Sequence, residues 1–133
     1  GIAWAEFTAA DSNEVQSVVT KAVGECDALY IPTDNTIANN TEIVKNVAVP
    51  AGIPVVTGEE GMCSGCGLAT LSISYYDLGV KAAEMAYEIL TNGADPAQMA
   101  IGYVTDGITE KYNADIAEAL NITIPEDMVA IEN

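Results

Sequence analysis

The sequence predicts an α/β fold, an open, mostly parallel, Rossmann-like sheet flanked by helices. Three observations carry that expectation. Short apolar runs recur along the chain, and each is followed by a stretch with helical periodicity. Asp, Asn, Ser and Thr, the residues that cap helices, stand at the junctions. Half of the 133 residues are hydrophobic and 18% are charged, enough apolar material for one domain with a real core. Short apolar strands separated by helices imply a parallel sheet with helices on both faces.

Taken in order, residues 2–8 read as a short apolar strand. Asp11, Ser12 and Asn13 then offer N-cap side chains, with Glu14 in capping-box spacing from Asp11. Val15, Val18, Val19 and Ala22 follow at i, i+3, i+4 and i+7, the stripe of a helix packed on a sheet. Residues 28–32 (ALYIP) form a second strand, apolar on both faces as a buried parallel strand is. Thr33, Asp34 and Asn35 close it and open a helix over about residues 36–49, which Pro50, Ala51 and Gly52 break. A third strand covers residues 53–57 (IPVVT). Residues 58–67 read as a loop holding Gly58, Gly61, Gly65 and Gly67 together with Cys63 and Cys66. Residues 68–74 (LATLSIS) alternate into a fourth strand. Asp77 caps a long helix with Leu78, Ala82, Met85 and Ile89 inward, which ends at Asn92 and Gly93. Residues 101–105 give a fifth strand, and Thr109 starts a last helix with Tyr112, Ile116 and Ala119 inward.

The formal charge is −16, with 20 acidic residues against Lys21, Lys45, Lys81 and Lys111, and neither Arg nor His. A surface this negative repels phosphate backbones and anionic headgroups, so no nucleic-acid or polybasic membrane partner is expected. Without His, Ser-His-Asp and Cys-His catalysis and His-ligated metals are excluded within the chain. Without Arg, so are guanidinium clamps on phosphate. No apolar run approaches the length of a membrane span. The chain starts at Gly1 without Met, directly on a strand-like segment, so upstream sequence is expected.

In open α/β sheets ligands bind beyond the carboxyl ends of the strands. That rule picks out Ala10, Asp11, Ser12 and Asn13 after the first strand, Thr33, Asp34 and Asn35 after the second, and Gly58, Glu59 and Glu60 after the third. After the fourth come Ser74, Tyr75, Tyr76 and Asp77. A carboxylate for an ammonium group, helix-terminal N–H groups for a carboxylate and aromatic rings for an apolar body would suit a small zwitterion. Capping explains any one of these side chains taken singly; their convergence on one sheet edge is what points to a site. Cys63-Ser64-Gly65-Cys66 has CxxC spacing, which opens a competing reading as a small flavodoxin-like or CxxC redox protein. A redox pair sits at a helix N-terminus, whereas this one lies in a loop before a strand; a local disulfide or two idle thiols fits better. Zinc would need four ligands, and Cys26 is the one other candidate. Glycines at 58, 61, 65 and 67 do not form a dinucleotide fingerprint, no Walker motif is present, and no cofactor or enzymatic activity is expected. A third reading is an acidic receiver-like module binding Mg²⁺, for which the strand ends offer Asp11, Asp34 and Glu59 but no matching lysine.

The run from Cys26 to Thr36 (CDALYIPTDNT) resembles the strand and turn of ABC transporter substrate-binding proteins of the TrpX-like, type I periplasmic-binding-protein class. The similarity continues through residues 53–60 (IPVVTGEE) and 69–79 (ATLSISYYDLG), then Asn113 and residues 117–125 (AEALNITIP). It spans nearly the whole chain with the motif order kept; the Cys63–Cys66 stretch departs from the short loop expected there. The resemblance implies two Rossmann-like lobes joined by a hinge, with a ligand trapped between them. Residues 1–67 would belong to the C-terminal lobe, 68–100 would cross the hinge and supply an N-terminal-lobe helix, and 101–133 would return. It further implies that Asp34 and Asn35 face the cleft, with Asp34 pairing to a ligand ammonium. Thr33, Gly58 and Glu59 would line the same cleft, Ser74 and Tyr75 would lie at the hinge crossing, and Ser12 and Asn13 are weaker candidates. The implied ligand is amino-acid-like and the implied partners are ABC permease subunits. The implied location is extracytoplasmic, with membrane attachment only through a lipid anchor at the missing N-terminus.

Overall fold

In a computed structural model, which describes residues 1–132, a five-stranded sheet carries the fold. Its strands are β1 (Leu29–Ile31), β2 (Val55–Thr57), β3 (Ala69–Ser72), β4 (Thr109–Tyr112) and β5 (Val129–Ala130), adjacent in that order. The β1–β2, β2–β3 and β4–β5 pairs are parallel and β3–β4 is antiparallel, so the mostly parallel α/β expectation holds. The helices are α1 (Val15–Val23), α2 (Asn35–Ala38), α3 (Thr41–Ala48), α4 (Glu60–Cys66), α5 (Tyr75–Asn92) and α6 (Ala114–Leu120).

The chain divides into two compact units, Gly1–Ser72 with the stretch from Thr109 onward, and Ile73–Ile108. In the first unit Val15 and Val19 of α1 meet Val44 and Ala48 of α3, Val55 of β2 and Cys66 of α4 in one buried cluster. Leu29 and Ile31 pack against it from β1. A second cluster joins Leu68 to Ile116 and Ala117 of α6. The alternate strand residues behave differently: Tyr30 is 69% exposed, Val56 39% and Leu71 58%. On that same sheet face Ala69 and Tyr112 pack against the Ile116 and Ala117 cluster of α6, so the sheet is flanked by helices as expected, with these three side chains left exposed.

Several elements differ from the sequence reading, each for a physical reason. Residues 2–8 carry no regular structure, because no strand pairs with their main chain among the described residues. Residues 101–105 likewise have a strand's composition but no ladder. The strand that completes this part of the sheet is β4 instead, where Thr109, Glu110, Lys111 and Tyr112 alternate opposite Ser72, Leu71, Thr70 and Ala69. Helix α6 therefore starts later, capped by Asn113 rather than Thr109. The expected helix over 36–49 is interrupted near Asn39 and Asn40, giving α2 and α3. The expected loop 58–67 is mostly helix: Glu59 accepts main-chain hydrogen bonds from Gly61 and Met62, and that cap starts α4 despite its glycines. Gly65 has a packing reason, since a Cβ there would stand 2.4 Å from the Thr41 hydroxyl of α3.

In the second unit α5 ends at Gly93 in the left-handed conformation (φ 69°), as the Asn92-Gly93 pair predicts. Its cap is Ser74, whose Oγ accepts the Asp77 N–H at 3.1 Å, so Asp77 sits in the first turn instead of capping. None of its residues is buried; Met85 and Ile89 are half-buried, while Leu78 and Ala82 of the expected inward face are exposed.

Candidate functional site

The sheet register aligns the strand tips. Ile31 pairs with Thr57 and Thr57 with Thr70, so Thr33, Glu59 and Ser72 each stand two residues past one level line. This is the carboxyl edge of the parallel strands, where an open sheet of this class offers a ligand its polar groups. Thr33, Asp34, Asn35, Gly58 and Glu59 all fall on it. The β1 and β2 tips touch: a Cβ on Gly58 would stand 2.7 Å from the Thr33 backbone nitrogen and 2.8 Å from its hydroxyl. The Gly58 N–H donates to the Ile31 carbonyl at 2.9 Å, which fixes that approach. Glycine is required there for space, since its φ is not in the left-handed region.

Two of the acids also cap helices. Asp34 Oδ1 accepts the Ile37 N–H at 2.9 Å and starts α2. Its side chain is exposed and its Oδ2 is not used in that cap. Glu59 commits both oxygens to α4, accepting from Gly61 at 2.7 Å and from Met62. Its carboxylate is thus a structural group, and what it offers a ligand is backbone and partial charge.

Sequence reasoning missed a cation at this edge. Lys111 Nζ lies 2.7 Å from Glu60 Oε2, and the Ser72 hydroxyl donates to the same oxygen at 3.0 Å. The hydrogen bond from Lys111 holds the Glu60 carboxyl below its ordinary range; burial opposes this, and Ser72 and the lysine charge assist it. Only the register, which places Lys111 opposite Thr70, brings these residues together across 51 positions of sequence.

Ser12 and Asn13 are exposed at the start of α1, where Asp11 Oδ1 accepts the Asn13 N–H at 2.8 Å and Glu14 accepts the Ala10 N–H at 3.0 Å. The box is shifted, with Glu14 at the N-cap position instead of Asp11. Ser74 and Tyr75 belong to the second unit, Ser74 as the cap of α5 and Tyr75 61% exposed.

The CxxC pair lies in α4 and not in a loop. Cys63 and Cys66 are free thiols, 0% and 1% exposed, so the local disulfide is not formed. Burial pushes the Cys63 thiol up to about 11, with the neighbouring glutamates adding to it and a Thr57 hydrogen bond opposing. Burial pushes Cys66 up to about 12, reinforced by Cys63 and Glu59. Redox cysteines need a depressed value and access, and this pair has the reverse of both. Among the described residues no cluster of three or more His, Cys, Asp or Glu is placed to hold a metal ion. None of their helices is long and apolar enough to cross a membrane.

Comparison with known proteins bears on the family. The family model described as "ABC transporter substrate binding protein" matches residues 1–132. A tyrosine-binding protein of Clostridioides difficile (strain R20291) is 44% identical over 79 residues, which are 59% of this chain and 23% of that protein. An ABC domain from Streptococcus pneumonia, solved in complex with L-Trp, superposes with a TM-score of 0.80 at 31% identity, over 93% of this chain and 43% of its own. A substrate-binding protein with adhesive properties from Clostridium difficile, in its ligand-free, open structure, gives 0.68 at 36% identity, over 91% and 41%. The chain thus spans less than half the length of these relatives. With the fold, the order of motifs and the family model in agreement over the whole described length, the chain belongs to the ABC transporter substrate-binding protein family.

Proposed function

We propose that this chain is part of the solute-binding component of an ABC importer, and that the component captures an amino acid in a cleft between two lobes. The observation that carries the reading is the joined β1 and β2 tips, where an exposed acid, Asp34, stands beside Thr33 and Gly58 on the ligand edge of a sheet from this family. Asp34 Oδ2 serves a ligand ammonium while Oδ1 keeps α2 in place. Thr33, Asn35, Gly58 and Glu59 line the same wall, Ser74 and Tyr75 belong to the crossing between lobes, and Ser12 and Asn13 contribute less. Residues 1–67 and 101–133 are assigned to the C-terminal lobe, and 68–100 to the hinge crossing and a helix of the other lobe. Relatives support the ligand class: one is named a tyrosine-binding protein and another was solved with L-Trp.

In this reading the component is extracytoplasmic, held at the membrane by a lipid anchor, and delivers its load to permease subunits without chemistry of its own. The test is a thermal-shift screen of the full-length protein against the twenty amino acids. A hit raises the melting temperature in a concentration-dependent way, by about 2.7 kcal/mol of stabilisation at a hundredfold excess over Kd. Asp34→Ala removes that rise; Asp34→Asn, which keeps the cap, removes it too. A screen with no hit among amino acids sinks the reading.

A further inference from the structure

The first unit ends at Ser72 and resumes at Thr109, and these two residues are partners in the last register pair of β3 and β4. Both connections to the second unit therefore leave from one place on the sheet. Lys111 lies two residues inside Thr109 and opposite Thr70, so alternation puts its side chain on the same face as those of Ser72 and Thr70. Glu60, the first residue of α4, reaches that face. Its Oε2 accepts from the Ser72 hydroxyl at 3.0 Å and from Lys111 Nζ at 2.7 Å. One carboxylate oxygen thus holds both strands at the point where the chain leaves the unit and returns to it.

Glu60 is also the next residue after the β2 tip. The Gly58 N–H donates to the Ile31 carbonyl at 2.9 Å, and Glu59 is folded onto the N–H groups of Gly61 and Met62. The segment Gly58-Glu59-Glu60 is therefore tied at one end to β1 and at the other to the ends of β3 and β4. The Glu60 and Lys111 side chains are partly exposed, so the pair contributes little to holding the fold. Its place sets it apart from an ordinary surface pair, since it joins the ligand edge to both connections. Lys111 is not a spare cation for a ligand carboxylate, because Glu60 occupies it.

We propose that Glu60, Lys111 and Ser72 are positioning residues for ligand capture, which act on the ligand edge without touching the ligand. They keep Gly58 and Glu59 in a fixed relation to the strands through which the two units are joined. A cleft that closes on its ligand has to order both the edge and those strands, and ordering them beforehand lowers the cost of the closed complex. Without the network that ordering falls to the binding step, and the closed complex opens sooner. This role rests on the reading of the protein as a two-lobed amino-acid binder.

The experiment uses the full-length protein, with Kd from calorimetry and dissociation from chase of a tritiated ligand. The probe is whichever of the twenty amino acids binds, L-tyrosine and L-tryptophan being tried first. Lys111→Met raises Kd about fivefold; dissociation quickens by a similar factor and association changes by less than about twofold. Glu60→Gln gives the same result, and the double variant is within about twofold of either single one, because the side chains act as a unit. Lys111→Arg, which keeps the charge, restores the dissociation rate to within about twofold of native. An unchanged Kd in both single variants overturns the role. A Kd raised by Lys111→Met and not by Glu60→Gln overturns it too, since Lys111 then meets the ligand itself. A smaller fraction of binding-competent protein at unchanged Kd and dissociation rate also overturns it, because the network then serves folding alone. A native protein that binds none of the twenty overturns the amino-acid reading and this role with it, whereas native binding with unaffected variants overturns this role alone.

Discussion

Asn113 is 4% exposed and spends its whole amide on the fold. Its Nδ2 donates to the carbonyls of Cys63 at 3.2 Å and Ser64 at 2.9 Å, and its Oδ1 accepts the Ile116 N–H at 3.2 Å. One side chain thus caps α6 and ties it to α4. Asn113→Ala strands these buried groups, and the expected loss is on the order of 3 kcal/mol in urea unfolding. The Glu60–Lys111 pair is worth less, because the side chains are 38% and 26% exposed; Lys111→Met costs about 1 kcal/mol or less at neutral pH. Its signature is the pH dependence. The folded state lowers the Glu60 value from 4.5, so the pair's stabilisation is present above about pH 4.5 and fades as pH falls through the lower folded value. Urea midpoints measured down to about pH 3 should therefore fall less steeply for Lys111→Met than for the native chain, and parallel curves would refute the coupling. Neither residue's role was legible beforehand. Asn113 competes with Thr109 as a cap in sequence, and Lys111 meets Glu60 only through strand register.

At the scale of elements, legibility followed whether an element finds a partner among the described residues. Strands β1, β2 and β3 form where apolar runs predicted them because each finds a neighbour, and α1 forms on its i, i+3, i+4, i+7 stripe because that stripe meets α3 and β2. Residues 2–8 and 101–105 have a similar composition but no pairing strand among the described residues, and strand propensity alone leaves them irregular. Helix α4 went unread for a different reason. Its glycines look like a loop, while the features that make it a helix, the Glu59 cap and the close approach to Thr41, show only once the chain is folded. Thr33, Asp34, Gly58 and Glu59 follow the ends of adjacent parallel strands, but the strand-tip rule could not tell that Glu59 is consumed as a cap. Helix α5 carries the opposite imbalance: 18 residues hold together with no buried side chain. A helix of that length without a packed face is marginal in water. Its amides should therefore exchange at least about tenfold faster than those of α1 and α3 in the 133-residue chain, and equal protection would show that something covers it in solution.

For the whole molecule, charge is the force that works against compaction. Twenty acids against four lysines give −16, and the acids do not concentrate in one segment that could be shed. Lys81 pairs with Glu84 and Lys111 with Glu60, but four lysines cannot neutralise twenty carboxylates. Self-repulsion of this kind disfavours the compact state and is long-ranged at low salt, where the Debye length exceeds the spacing of surface charges. Sodium chloride should stabilise the chain: raising it from about 20 mM to about 500 mM shortens the screening length to a few ångströms, and a gain of about 1 kcal/mol would lift Tm by roughly 5 °C. General salting-out would give a similar rise, so the discriminating comparison is with a variant of lower charge. Glu25→Lys with Glu126→Lys, both at exposed positions, makes the net charge less negative without touching the core. Its Tm at low salt should already exceed that of the native chain, and its further gain with salt should be smaller. Identical salt slopes for the two proteins would mean that the repulsion is negligible and that the acidic surface costs the fold nothing.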